Sequence, residues 1–410
     1  MSRLVDIAKI NMGQSPPSSS YNDNGIGLPF YQGKADFGYI NPIPKKYCNA
    51  PSKVADQGDI LISVRAPVGP VNITTKKCCI GRGLAAIKAK TFNQDFIYYN
   101  LIFQEDYIAS LGTGSTFKAI NKSQLENIQI KDFTLDEQFK IAYILSTLQK
   151  AIEQQNKLIV NAIELKKTLM YKLFTEGTKG ERQRQTEVGM VPESWEVEKF
   201  GNTGEVVYGI QAAVASNLKP IGHKILTNKN ITLEGAIDLT KINYFKLTSK
   251  RHFDSILRKD DLLFNWRSGS KEHVGKTAIF NLTDAEYVHS SFILRIRANM
   301  NHNPRFLFYY LNFLRESGYY QKVQTYSINA KFNKSAINSM PIPLPKKDVQ
   351  DIIADTLDVI DNRINNLKAI FHLKLHLFNT ILHELMTGQK CIKDIDFQDI
   401  SHEIQFIEHY

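Results

Sequence analysis

An internal repeat constrains this chain more than any other feature. INKSQLENIQI at 120–130 lines up with FNKSAINSMPI at 332–342, so that Ser123 and Ser335 stand 212 residues apart, and Gln138 and Gln350 keep that offset. Ten positions of the following stretch repeat as well. Ile141, Leu145, Leu148, Ile152, Gln155, Ile159, Ala162, Lys166, Leu169 and Leu173 fall on Ile353, Leu357, Ile360, Ile364, Leu367, Phe371, Lys374, Phe378, Ile381 and Leu385. Every gap is four or three. Spacing of that kind, held over so many turns, describes a coiled-coil seam, because the apolar stripe of an ordinary amphipathic helix drifts off a strict heptad. Two such helices in one chain are expected to pair with each other, and the seam residues to have a structural role.

The boundaries agree with this reading. Thr134 and Glu137 form a capping box at the start of the first helix, and Gly177 and Gly388 stand where each helix should stop. Each helix then has about 40 residues and a length of roughly 60 Å. The segments preceding the helices differ in character. Short β-like runs such as GDILISV (58–64), DDLLFNW (260–266) and SFILRIR (291–297) alternate with Gly, Asn and Pro, and each half holds one aromatic helical stretch, FIYYNLIF (96–103) and RFLFYYLNFL (305–314). The expected architecture is α/β (α+β), with two mixed domains of one fold and two long helices forming an antiparallel coiled coil around a pseudo-twofold repeat. Its parts are a first domain at 1–132, a central helix at 133–178, a polar linker at 179–194, a second domain at 195–345, a C-terminal helix at 346–388 and a tail at 389–410. Framework positions repeat while loops diverge, which suggests one scaffold with two readout surfaces.

Charge narrows the function. With 51 Lys and Arg against 41 Asp and Glu, the chain carries a formal charge of +10, which points to a polyanionic partner. No run of eighteen apolar residues and no signal peptide is present, so nucleic acid is favoured over membrane. Cys48, Cys78, Cys79 and Cys391 include no C-x-x-C, suggesting neither a disulfide framework nor a zinc site, and a reduced, cytoplasmic protein is expected.

Catalytic signals are thin. GSKEHVGKT (269–277) comes within one residue of the phosphate loop G-x-x-x-x-G-K-[ST], but the required first glycine is Ser270, and the following TAIFNL reads as a strand. The repeat supplies the alternative. Aligning Asp59 with Asp261 and Arg65 with Arg267 makes this stretch a longer version of the turn that the first half writes as RAPVGP. Glu164-Leu165-Lys166 has a nuclease-like form but reads as solvated helix charge. His372 and His376 have the i, i+4 spacing of a zinc pair without the Glu of H-E-x-x-H or a third ligand, and NPIP (41–44) reads as a turn.

RQTEVGMVPESWEVEKFG (184–201) closely resembles the phrase that opens each recognition domain in the specificity subunits of Type I restriction-modification enzymes, through Thr186, Glu187, Val188, Gly189, Val191, Pro192, Trp195 and Gly201. GDILISVRAPVG, CIGRGLAAIK and LDEQ also look like framework motifs of that family. The first half has no P-x-x-W of its own and begins MSRLVDIA, expected to reflect a shortened start or support from 391–410; the second half has LPKKDVQ in place of the L-x-E-Q signal.

The resemblance implies a subunit with no catalytic centre, no metal and no cofactor of its own. It would bind double-stranded DNA beside two methyltransferase subunits using S-adenosylmethionine and restriction-translocase subunits using ATP and Mg, with no membrane partner. Each domain would read one half of a bipartite, asymmetric target, and the coil would set the spacer. The other readings are a Type II (IIB-like) specificity subunit and a coiled-coil protein-binding scaffold. Candidate DNA contacts are loop residues: Gln14, Lys34, Arg65, Arg82 and Lys118 in the first domain, and Gln211, Lys229, Arg267, Lys271, His273, Lys276 and Lys331 in the second. Apolar helix faces around Phe174 and Phe378 are candidate contacts for the methyltransferase subunits, with core packing as the other reading.

Overall fold

The 4-3 spacing becomes two helices, Leu135–Glu176 and Lys347–Thr387, in a computed structural model that describes residues 1–114, 118–211, 218–324, 332–390 and 392. Thr134 and Glu137 make the capping box, with the Thr134 N–H donating to Glu137 Oε2 at 2.9 Å and the Glu137 N–H to Thr134 Oγ1 at 3.3 Å. Gly177 and Gly388 end the helices at φ +69° and +73°, a left-handed conformation that glycine adopts without a Cβ penalty.

The chain forms two units, Met1–Ile159 with Leu367–Tyr410, and Val160–Asn366, so each long helix contributes to both. Within each unit the helix segments run antiparallel. Leu145, Leu148 and Ile152 share a core with Phe378, Leu382 and Leu385 in the first unit, as do Met170, Leu173 and Phe174 with Ile353, Ala354 and Leu357 in the second. Ile141, Leu145, Leu148, Ile152, Ile159, Leu173, Ile353, Leu357, Ile364, Leu367, Phe378 and Leu385 are buried, and Leu169, Ile360, Phe371 and Ile381 are half-buried.

Two readings left open for helix residues resolve toward the core, and one expectation needs correction. Phe174 and Phe378 are 1% and 7% exposed, so they are core residues, since large aromatic side chains gain most by leaving water. Phe174 packs on Phe306, Tyr310 and Phe313, and Phe378 on Tyr99. Lys166 is not a solvated charge. Its Nζ lies 2.5 Å from Asp361 and over the Tyr309 ring, and the Tyr309 hydroxyl donates to Asp358 and Asp361.

Each unit carries a four-stranded antiparallel sheet in the same order. In the first it runs Ala8–Met12, Leu84–Ala89, Ile60–Ser63, Val71–Ile73; in the second, Gly204–Tyr208, Ile293–Ala298, Leu262–Asn265, Thr277–Ile279. A second sheet, of five short strands in the first unit and three in the second, contains a parallel pair: Leu28–Tyr31 with Cys78–Ile80 in one unit, and Leu218–Leu226 with Tyr287–His289 in the other. The repeated Asp59 and Asp261 are buried and do the same local work, accepting the N–H of Asp56 and of Arg258; Asp261 also takes a bidentate pair from Arg297 at 2.7 Å.

The repeated glutamines lock sheet domain to helix. Gln138 Oε1 accepts the Asn93 N–H at 2.8 Å and its amide donates to the Phe133 carbonyl at 2.8 Å; Gln350 does the same with Asn303 and Pro345, both at 2.9 Å. Asn93 and Asn303 are the N-caps of the aromatic helices Gln94–Phe103 and Pro304–Glu316. Gln350→Ala strands a buried N–H and a carbonyl. It is expected to cost about 1–3 kcal/mol in denaturant unfolding; a loss below about 0.5 kcal/mol would show that water replaces both bonds.

The stretch expected as a linker holds a hairpin, Gln183–Thr186 paired with Gly189–Pro192, turning on Gly189 at φ +109°. It delivers Trp195, 2% exposed, onto Phe306, with the Arg184 guanidinium donating to the Trp195 carbonyl at 2.7 Å. The P-x-x-W phrase thus closes the second unit's core.

Candidate nucleic-acid interface

In the first unit four loops meet at the same end of the large sheet. The Gly33 turn is fixed by Asp36, whose carboxylate accepts the Gln32 N–H at 2.7 Å and leaves Lys34 exposed. Gly81-Arg82-Gly83 crosses close beneath it. A Cβ on Gly83 would stand 2.3 Å from the Gln32 carbonyl oxygen, so only glycine lets this backbone pass and present Arg82. The RAPVG turn supplies Arg65, and the Ala66 N–H donates to the Lys118 carbonyl at 3.0 Å, bringing in the fourth loop. Lys34, Arg65 and Arg82 then line one cleft of about 230 Å³, together with Gln32, Gly33, Ser63, Ala66 and Gly83. Its lining contains three cations and no carboxylate. Gln14 is exposed alongside, since its own N–H donates to the Ile80 carbonyl and the neighbouring Ser15 Oγ accepts from the Arg82 N–H at 3.4 Å. All five residues chosen from the first half are exposed at this end.

The second unit repeats the scaffold with different side chains. Gly69 and Gly275, at φ +113° and +87°, donate their N–H to the carbonyls of Ser63 and Asn265. GSKEHVGKT is therefore the longer version of the RAPVG turn. Arg267 is exposed with its guanidinium 5.7 Å from the ring of Phe292, itself 41% exposed. Lys229 sits in the Asn228–Asn230 turn, where Asn230 Oδ1 accepts the Thr227 N–H as Asp36 does that of Gln32. Gln211 follows Ile210, held by hydrogen bonds to His289 and Ser291. Lys271 is exposed and His273 half-buried in the long turn.

Two candidates stand apart. Lys276 is 5% exposed and its ammonium donates to the carbonyls of Asn228 at 3.0 Å and Ile231 at 2.6 Å. Burial, with Arg315 adding repulsion, pulls its pKa below the ordinary lysine value. It staples two loops rather than facing solvent, which corrects its assignment as a contact. Lys331 lies outside the described residues. Beneath the same loops His289 is fully buried, and desolvation reinforced by Arg295 holds it at about 3, as a neutral imidazole. Phe292 was missed by the sequence reading. Its one signal was its place, three residues past the Tyr287–His289 strand, where the first unit has Gly83 three past Cys78–Ile80.

A family model described as the Type I restriction modification DNA specificity domain matches residues 1–164 and 192–373. The chain belongs to that family. It is 52% identical over 169 residues to a putative Type I restriction enzyme specificity subunit, MjaX, of Methanocaldococcus jannaschii, an alignment spanning 41% of this chain and 40% of that protein. It is 25% identical over 319 residues to the MjaVIII specificity subunit of the same organism, covering 76% of this chain and 73% of that one. Among solved structures, the S subunit of a Type I restriction-modification system from M. genitalium superposes with a TM-score of 0.61 at 15% identity, over 94% of this chain and 95% of the other. A second, from a study of Type I complex assembly and conformational transition, gives 0.56 at 16% identity over 94% and 96%. These two likenesses show the fold. Among the described residues no helix is long and apolar enough to cross a membrane.

Proposed function

We propose that this Type I specificity chain is the non-catalytic, DNA-binding subunit of a restriction-modification complex, each unit reading one half of a bipartite, asymmetric target. The observation that carries this is the carboxylate-free cleft holding Lys34, Arg65 and Arg82, on loops that the second unit rebuilds with Arg267, Lys229 and Gln211. Arginines and lysines supply phosphate affinity, and bidentate arginine or amide side chains supply base readout. The repeated scaffold with unlike loops supports unlike half-sites. The helices, each shared by both units, act as the ruler for the unread spacer.

Methylation and cleavage belong to partners in this reading: two methyltransferase subunits with S-adenosylmethionine, and restriction-translocase subunits with ATP and Mg. The complex works on cytoplasmic DNA. Methylome sequencing of the host with and without the gene tests the proposal. One bipartite motif should vanish with the gene; an unchanged methylome overturns the proposal.

A further inference from the structure

On the readout side, the two units differ in one connection of the second sheet. In the first unit the strand Lys46–Cys48 is followed by residues 49–53 before Val54–Ala55 pairs with Cys78 and Cys79. In the second unit the matching strand ends at Phe245, and the chain returns only at Ile256, which bridges Val288 antiparallel. The longer connection, 246–255, reads KLTSKRHFDS.

Its backbone is fixed from inside. Leu247 and Ser255 are buried, the His252 ring stands edge-on to Phe245 at 5.2 Å and accepts the Thr248 N–H at 3.3 Å, and the Arg295 guanidinium donates to the Asp254 carbonyl at 3.3 Å. Lys246, Lys250 and Arg251 are exposed, and no ion pair among the described residues holds them. The antiparallel bridge sets Ser255 and Asp254 alongside His289 and Ser290, the start of the loop that carries Phe292 against Arg267. The insertion is therefore continuous with the second unit's readout end.

We infer that 246–255 is a phosphate-gripping lobe through which the second unit holds the DNA backbone on the flank of its half-site, with three exposed cations where the first unit's matching connection has Lys53 alone. The inference rests on the DNA-binding reading above. Exposed Lys and Arg side chains supply the charge that phosphates need, and 246–255 offers no Asn or Gln for reading adenine edges. Binding at the two half-sites is then unequal. The second half carries more of the salt-dependent affinity and a longer footprint.

The test compares the complex carrying K246Q/K250Q/R251Q with the parent and with the charge-retaining K246R/K250R/R251K, on a duplex bearing the target found by methylome sequencing. The slope of log affinity against log salt should become shallower by roughly 2 to 3 in the glutamine variant, about 0.9 for each lost phosphate. Hydroxyl-radical protection should retreat on the flank of one half-site only, the methylated motif should be unchanged, and the charge-retaining variant should behave as the parent. A glutamine variant with parental slope and footprint overturns the lobe alone, as does equal loss in the charge-retaining variant, which would mark a packing role. A parent complex that binds DNA without salt dependence overturns the DNA reading as well.

Discussion

Shortening both long helices by one heptad at facing places, 157–163 in the first and 366–372 in the second, is expected to shorten the spacer of the methylated motif while leaving both half-site sequences intact. The deletions lie between two polar contacts that fix the antiparallel register, Lys374 Nζ to Gln155 Oε1 at 3.3 Å and Lys166 Nζ to Asp361 Oδ1 at 2.5 Å. Removing seven residues from each side keeps every seam residue on the seam, because the apolar pattern repeats with that period. A helix loses about 10 Å over seven residues, which corresponds to at most about three base pairs. Deleting four residues instead should break the seam and lose folding rather than retune the spacer. Methylome sequencing of cells carrying the heptad variant reads the outcome directly. A motif with altered half-sites, or one with the parental spacer, would remove the helices from the role of ruler.

The architecture was legible in the sequence because periodic patterns are local. The seams and the capping box show within a short window or through the 212-residue self-match, and the Asp59–Asp261 and Arg65–Arg267 equivalences through a local match of the two turns at an offset of 202. What could not be read depended on partners distant in sequence. Lys276 looks like any turn lysine until the carbonyls of Asn228 and Ile231 close on it from 48 and 45 residues away. Lys166 pairs with Asp361 across 195 residues, and Phe174 reaches an aromatic cluster on Pro304–Glu316. The hairpin within 179–194 was missed for another reason. Its first strand, Gln183–Thr186, is polar and exposed for most of its length, so no apolar alternation announces the pair, and what fixes the segment is Val191 and Trp195, both buried.

Replacing Lys34, Arg65 and Arg82 together by glutamine is expected to lower the affinity of the complex for its specific target by at least about 100-fold at moderate salt, with discrimination lost at one half-site only. The magnitude follows from the cleft's chemistry. Each arginine placed bidentate on a guanine is worth about 1–3 kcal/mol against the wrong base, and each cation on a phosphate adds about 0.9 to the salt slope. Single substitutions then sort the roles. If Arg82, presented between Gly81 and Gly83, reads a base, Arg82→Lys should relax one position of the motif and leave the slope unchanged, because lysine keeps the charge but loses the planar fork. If Lys34 holds a phosphate, Lys34→Gln should reduce the slope by about 0.9 and leave the motif intact. Competition binding across duplexes mutated in one half-site at a time separates these outcomes. The second half-site is the internal control, since its loops belong to a unit with its own core. Equal loss at both half-sites, with unfolding unchanged, would mean that the cleft contributes only general attraction and that bases are read elsewhere in the first unit.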